Sequence, residues 1–195
     1  MLILGSRLIG TPIMGLQTGA KLAQASQPLI DPANLKIVAY IVDGPLLDQH
    51  PSILRMADVR EFGDLGMIID SSDELIAIDD VIKIKALHDL NFSLMGMPVI
   101  DETKRRLGKV EDFGVDADSF IVQQLHVRRG LLKSLTETGL IIHRSQITEI
   151  NDHAIIVKTT AKKVTPVMVA ERPTYVNPFR GTSAQPDATD SQSSS

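Results

Sequence analysis

The sequence contains no cysteine and no tryptophan, and aromatic residues make up only 4% of its 195 positions. Without cysteine, the chain forms no disulfide, no thiolate metal site and no cysteine nucleophile. The scarcity of aromatic rings argues against a surface that stacks single-stranded bases. Since 43% of the residues are nonetheless hydrophobic, the core has to be built from Ile, Leu, Val and Met.

Long apolar runs are also missing, and no stretch approaches the roughly 20 apolar residues of a membrane-spanning helix. The net charge of −4 and the pI of about 5.7 provide no overall attraction to nucleic acid or anionic lipid. Residues 1–9 are apolar like an export signal, but Gly10 and Pro12 interrupt them and the same motif recurs at residues 94–99. We therefore expect a cytoplasmic protein.

Two distant stretches of the chain carry the same pattern. Residues 53–69 align without a gap with residues 141–157, and their apolar positions coincide. In each stretch an apolar pair, a polar turn, an alternating run and a second apolar run follow one another, which predicts strands joined by a hairpin. The polar turns, residues 55–58 and 143–146, are too short for more than a single helical turn.

The apolar run that ends each stretch is expected to be buried. Replacing Ile68 or Ile156 by Asp is therefore predicted to unfold the unit concerned, because an unpaired buried charge costs several kcal/mol.

The duplication extends upstream, where residues 8–13 match residues 94–99. Pro12 and Pro98 have no backbone donor, so they belong at the edge or the end of a strand. The matching glycines at positions 10 and 96 indicate a bulge or a close backbone approach. The repeat therefore predicts two copies of one β-unit.

Several of these segments together resemble a known family. They are the Leu-x-Gly-x-Pro-Val strand at residues 94–99, the Gly-Lys-Val turn at 108–110, the apolar strand at 36–42 and the Ile-x-Glu-Ile hairpin at 147–150. They are similar to the PRC-barrel domain, a small β-barrel of the H subunit of photosynthetic reaction centres and of a ribosome maturation factor.

The resemblance implies a mainly β chain made of two tandem small PRC-type β-barrels. The first barrel is expected at residues 1–80 and the second at residues 92–173, with a short linking helix within residues 81–91. Residues 174–195 are rich in Ser, Thr, Gln and Asp and are predicted to be extended or disordered.

The linking segment carries acids at its start and two lysines further along. Asp79 or Asp80 is predicted to cap a helix over residues 81–87, in the orientation that the helix dipole favours. The alternating pattern of residues 81–86 is also compatible with a strand.

Catalytic constellations are missing from the sequence. None of the histidines has a second His or a carboxylate at the spacing of a zinc helix motif; they are His50, His88, His126, His143 and His153. Asp116 and Asp118 lack the glycine and distal Glu of a calcium loop. The sequence therefore predicts a protein that is not an enzyme, with no cofactor and no catalytic or metal-binding residues.

Two segments are candidates for partner binding. The loop at residues 127–133 contains Arg128, Arg129 and Lys133, which suits an anionic partner, either protein or RNA, although a charged hairpin tip is also typical of a solvated surface. The tail contains Tyr175 and Phe179 in an otherwise polar stretch, which suits either a docking motif or packing against the second barrel.

The resemblance implies a non-catalytic adaptor or assembly module that docks on a larger protein or ribonucleoprotein complex, with an unidentified protein as partner. One alternative is a factor for small-subunit ribosome maturation, in which RNA or the ribosome is the partner. That related factor carries a different barrel type before its PRC barrel, whereas here the pattern fills both halves. A further alternative is a membrane-peripheral component of a photosynthetic complex, and a homo-oligomer is compatible with each of these roles.

Overall fold

The structure, a computed structural model, describes residues 1–45, 47–129 and 139–158. Within these ranges the chain is mainly β, with two seven-stranded sheets and two short α-helices. No helix in this part of the chain has both the length and the apolar character needed to cross a membrane. The mainly β fold class predicted from the sequence is confirmed.

The first sheet is formed entirely by the first half of the chain. Its strands are β2 (Pro12–Gly15), β3 (Lys21–Asp31), β4 (Lys36–Asp43), β5 (Ser52–Arg55), β6 (Glu61–Gly63), β7 (Gly66–Ile69) and β8 (Leu75–Ala77). Their order across the sheet is β6-β7-β2-β3-β4-β5-β8. Neighbouring strands are antiparallel except β2 and β7, which are parallel.

The second sheet repeats this arrangement and adds one strand from the start of the chain. Its strands are β1 (Leu2–Leu4), β9 (Pro98–Asp101), β10 (Arg106–Asp116), β11 (Val122–Arg128), β12 (Leu140–His143), β13 (Ile147–Ile150) and β14 (Ile155–Val157). The order is β12-β11-β10-β9-β14-β13, and β1 pairs with the far half of β10. Helix α1 (Gly5–Leu8) follows β1. The first residues of the chain therefore belong to the second sheet.

We call strands β2–β8 the first copy of the sequence repeat and strands β9–β14 the second copy, and several local features recur in both. The predicted single helical turns are present as the 3-10 turns Met56–Asp58 and Arg144–Gln146. The two glycines of the upstream motif, at positions 10 and 96, both have φ near +79°, a conformation that glycine adopts readily. Their N–H groups donate to the carbonyl oxygens of Ala25 and Val110, at 2.7 and 2.8 Å. The following prolines begin β2 and β9, as expected from their missing donors.

One apolar cluster runs through both halves of the chain. Its fully buried members include, from the first sheet, Ile13, Ile37, Met67 and Ile69, and from the second sheet, Val99, Leu125, Ile142 and Ile155. A smaller cluster lies between the first sheet and helix α2 (Ile82–Asp89), with Ile84 of the helix packed on Leu29 and Ile53.

The two copies meet at equivalent β-turns. The N–H of Ile37 donates to the carbonyl oxygen of Phe120, and the N–H of Val122 donates to that of Leu35, both at 2.9 Å. The ring of Phe120 also meets that of Phe62 edge-to-face, with 6.0 Å between the ring centroids. The contact is reciprocal, so each copy completes the hydrogen bonding of the other.

The finer predictions of architecture are met only in part. The strand pairing of the described residues shows two sheets. Two closed barrels, separated by a linker at residues 81–91, remain a prediction. The predicted tail at residues 174–195 lies outside the described residues.

The predicted linking helix is present, but its predicted cap is wrong. Helix α2 begins after Val81, and neither Asp79 nor Asp80 caps it, because residues Ile78–Asp80 form a 3-10 turn of their own. Asp79 instead accepts a hydrogen bond from the ammonium group of Lys85, which lies six residues further along the chain.

The core positions that the sequence predicts in strands β7 and β14 are wrong by one residue. Ile68 and Ile156 are only half-buried, because side chains alternate between the two faces of a strand. Their neighbours face the shared core instead, and Met67, Ile69, Ile155 and Val157 are all 0% exposed.

This register gives a direct stability test. Ile69→Ala is expected to lower the free energy of unfolding by about 2–5 kcal/mol, because it leaves a cavity in the core. The matched variant Ile68→Ala removes the same atoms from a half-buried position and is expected to cost about 1 kcal/mol. Urea denaturation of the two variants measures the difference, and equal losses would contradict the register.

Candidate functional site

Two of the five residues predicted to bind a partner lie in the described part of the chain. Arg128 ends β11 with 75% of its side chain exposed, and Arg129 follows it half-buried. Lys133, Tyr175 and Phe179 lie outside the described residues.

The structure brings a second basic segment beside Arg128, which the sequence analysis missed. This segment comprises the loop after β9 and the start of β10, and it contains Lys104, Arg105, Arg106 and Lys109. In the antiparallel pairing of β10 and β11, Lys109 lies directly opposite Arg128. The signal in the sequence was the run of three consecutive cations at residues 104–106. Only the pairing of β10 with β11 shows that this run lies near Arg128.

We call this set of six residues the basic end: Lys104, Arg105, Arg106, Lys109, Arg128 and Arg129. The adjacent cross-strand pair, Val110 and Val127, is buried in the core. Because successive side chains of a strand alternate between faces, Lys109 and Arg128 lie on the opposite, outer face of the sheet.

A buried carboxylate fixes the loop that carries two of these cations, Lys104 and Arg105. Asp101 is 1% exposed and accepts four hydrogen bonds, from the N–H and hydroxyl of Thr103 and from the N–H and Nε of Arg105, at 2.6–3.0 Å. The hydroxyl of Thr103 and the donors of Arg105 hold the pKa of Asp101 below its usual value. The loop is therefore held in one shape by its own side chains.

Two cations of the basic end pair with carboxylates, and the first pair is that of Arg105 with the buried Asp101, at 3.0 Å. Glu111 is the extra residue of a β-bulge in β10, and its carboxylate lies 3.4 Å from the guanidinium of Arg128. Both side chains are more than half exposed, so the pair contributes at most about 1 kcal/mol. Lys109 and Arg128 are like charges directly opposite each other, an arrangement that destabilises a sheet.

Lys104 adds a conformational cost. Its φ is +64°, in the left-handed region that residues other than Gly, Asn and Asp seldom adopt. The equivalent residue of the first copy is Gly19, with φ +63°. The same turn is therefore built with glycine in one copy and with a cation in the other.

His126 lies on strand β11, as the sequence predicts. It is half-buried opposite Asp112, and its Nε2 is 3.0 Å from the side-chain nitrogen of Gln124. Among the described residues, no three His, Asp or Glu side chains are grouped so that they could hold a metal ion.

The hydrogen bonds of Asp101 predict a pH dependence. Since the folded-state pKa is lowered, the unfolded state binds the proton more tightly, and the stabilisation is present at neutral pH. It is expected to be lost as the pH falls below about 4 and through the lowered value. Urea denaturation of wild type and Asp101→Asn between about pH 7 and pH 3 tests this expectation, and the variant should show a shallower loss.

The matched control for this measurement is Glu102→Gln, which removes an exposed carboxylate from the same loop. An Asp101→Asn variant that loses stability with acid as steeply as Glu102→Gln would contradict the assigned role.

The strained lysine gives a second prediction. Lys104→Gly is expected to raise the free energy of unfolding by about 0.5–1 kcal/mol, because glycine relieves the left-handed strain but makes the unfolded chain more flexible. Lys104→Ala keeps the strain and is expected to change stability little. A Gly variant no more stable than the Ala variant would contradict this account.

The second copy also carries the match to known proteins. Residues 92–164 match the PRC-barrel domain family. This range contains strands β9 to β14 and all six residues of the basic end. A comparison of the chain with curated proteins gives no match. The family match identifies a PRC-barrel domain at residues 92–164 and supports the resemblance that was read from the sequence.

Proposed function

We propose that the chain is a non-catalytic adaptor, which docks on a larger protein or ribonucleoprotein assembly through the surface of its second copy. The observation that carries this proposal is the basic end, a group of cations on the exterior of the PRC-barrel domain. PRC-barrel domains are protein-interaction modules, which supports the same role. In a cytoplasmic setting, such a surface would guide an oppositely charged partner into contact.

The basic end suits docking because of where it lies. The cations lie at the start of β10, at the end of β11 and in the loop before β10. The sheet and the buried Asp101 hold these segments in place. A preorganised surface loses little conformational entropy when a partner binds. The shared strand order of the two sheets further supports a tandem pair of PRC-type barrels as the scaffold.

A second candidate function is small-subunit ribosome maturation. The observation that favours it is again the basic end, since arginines also bind the phosphates of RNA. Sedimentation of a native lysate at low salt separates the two candidates. Migration with small ribosomal subunits supports the ribosomal role, whereas migration without them contradicts it.

Gel filtration of a native lysate tests the adaptor proposal with the tagged full-length chain. We expect the 21.3 kDa chain to elute within a larger complex that contains a second protein in a fixed ratio. That complex should also be recovered when the second protein carries the tag. Elution as a single chain, or as copies of this chain alone, would contradict the proposal.

A further inference from the structure

We infer that the basic end binds an acidic segment of a partner protein, a short stretch rich in Asp and Glu side chains. This inference rests on the proposed function and specifies the chemistry of the docking partner. Three observations support this inference. The equivalent positions of the first copy lack the cations, several of the cations destabilise the fold, and the residue types of the basic end and the net charge of the chain favour a short acidic partner.

The two copies place different residues at equivalent positions of one scaffold. Lys109 lies opposite Arg128 in the second copy, and Gln24 lies opposite Asp43 in the first. Both pairs are followed by the same bulge. The first-copy positions that correspond to the basic end are Gly19, Ala20, Lys21, Gln24, Asp43 and Gly44.

These six positions carry no net charge in the first copy, whereas all six are cations in the second. Four of these first-copy positions, Lys21, Gln24, Asp43 and Gly44, line an open cavity of about 350 Å³. The first copy shows that the scaffold forms without the charges, so folding does not require the basic end.

The cations also work against stability. Lys109 and Arg128 repel each other across the strands, and Lys104 occupies a left-handed conformation where the first copy has glycine. Lys104, Lys109 and Arg128 therefore strain a scaffold that the first copy builds without them, and a binding role accounts for their presence.

The chemistry of the basic end favours carboxylates on a protein. Four of its six residues are arginines, whose planar guanidinium groups pair with carboxylates through two hydrogen bonds. None of the six is aromatic, so the set offers no ring on which a base can stack. None of the exposed large hydrophobic side chains among the described residues belongs to residues 98–128, so this described part of the surface offers a membrane no large apolar side chain.

The net charge of the whole chain also favours a short acidic segment over RNA as the partner. The net charge is −4 although the basic end is strongly positive, so the rest of the chain is acidic. A long polyanion such as RNA would extend over more of a chain whose remaining residues carry a net negative charge, whereas a short acidic segment needs to contact only the cations.

Fluorescence anisotropy tests the inference on the full chain, with a labelled peptide of about twelve glutamates and an RNA hairpin of similar charge as probes. The variant Lys109→Gln with Arg128→Asp installs the first-copy residues. We expect it to weaken peptide binding about tenfold at low salt, as the loss of several charge contacts implies. The control, Lys83→Gln with Lys158→Asp, makes the same change of net charge at exposed sites outside the basic end and should change binding less than twofold.

A gain-of-function variant guards against loss of binding through misfolding. Ala20→Arg, Gln24→Lys and Asp43→Arg move three cations to the first copy, and we expect a second peptide site on each chain. Gly44 is left unchanged, because a Cβ there would lie 2.8 Å from the carbonyl oxygen of Leu22.

Three outcomes would overturn the inference. Equal losses in the first-copy swap and in the control would mean that net charge alone attracts the peptide. If the RNA hairpin binds more tightly than the peptide, and this binding is lost in the Lys109→Gln and Arg128→Asp variant, the basic end is a site for RNA. A first-copy variant without a second peptide site would show that these cations do not form the site.

The lysate experiment repeated with the swap variant separates the two proposals. A complex that persists in the swap variant would leave the adaptor function standing and overturn the role of the basic end. A chain that elutes alone in the wild type would overturn the adaptor function, whatever the affinity for the peptide.

Discussion

Two backbone hydrogen bonds hold the copies together, from the N–H of Ile37 to Phe120 and from the N–H of Val122 to Leu35. Each donor has its acceptor in the other copy, and an unpaired buried donor costs about 1–3 kcal/mol. Strand β1 strengthens the link, because it precedes the first copy in sequence and belongs to the second sheet in space. Each copy is therefore stabilised by the other, and one apolar core serves both.

Duplication leaves one copy free to diverge while the other preserves the scaffold. In the first copy, helix α2 covers one face of the sheet, and the turn after β2 is built with Gly19. In the second copy, the equivalent turn is held by the buried Asp101 and carries Lys104 and Arg105. The hydrogen bonds of Asp101 offset the strain of Lys104, so a costly cation remains on an ordered surface.

Much of the strand pattern followed from local sequence, because turns and alternating runs are short-range properties. The helical turn before each last hairpin and the strand starts at Pro12 and Pro98 were predicted and are present. Ile68 was predicted to face the core and Ile69 does so instead, because two adjacent isoleucines are equivalent until strand pairing fixes which of them faces inward. The prediction that Asp79 caps helix α2 was wrong for a similar reason, because the residue type of Asp79 does not reveal that it lies in a separate 3-10 turn.

The sequence by itself determined that the chain carries a repeated pattern, is mainly β and has no cysteine chemistry, because composition and repeated patterns can be read without the folded structure. It also identified Arg128 and Arg129 as candidates. Only the tertiary structure placed β1 in the second sheet and set Lys109 opposite Arg128. The physical reason is that strand pairing joins residues far apart in the chain through backbone hydrogen bonds, and the backbone groups that form them are the same in almost every residue.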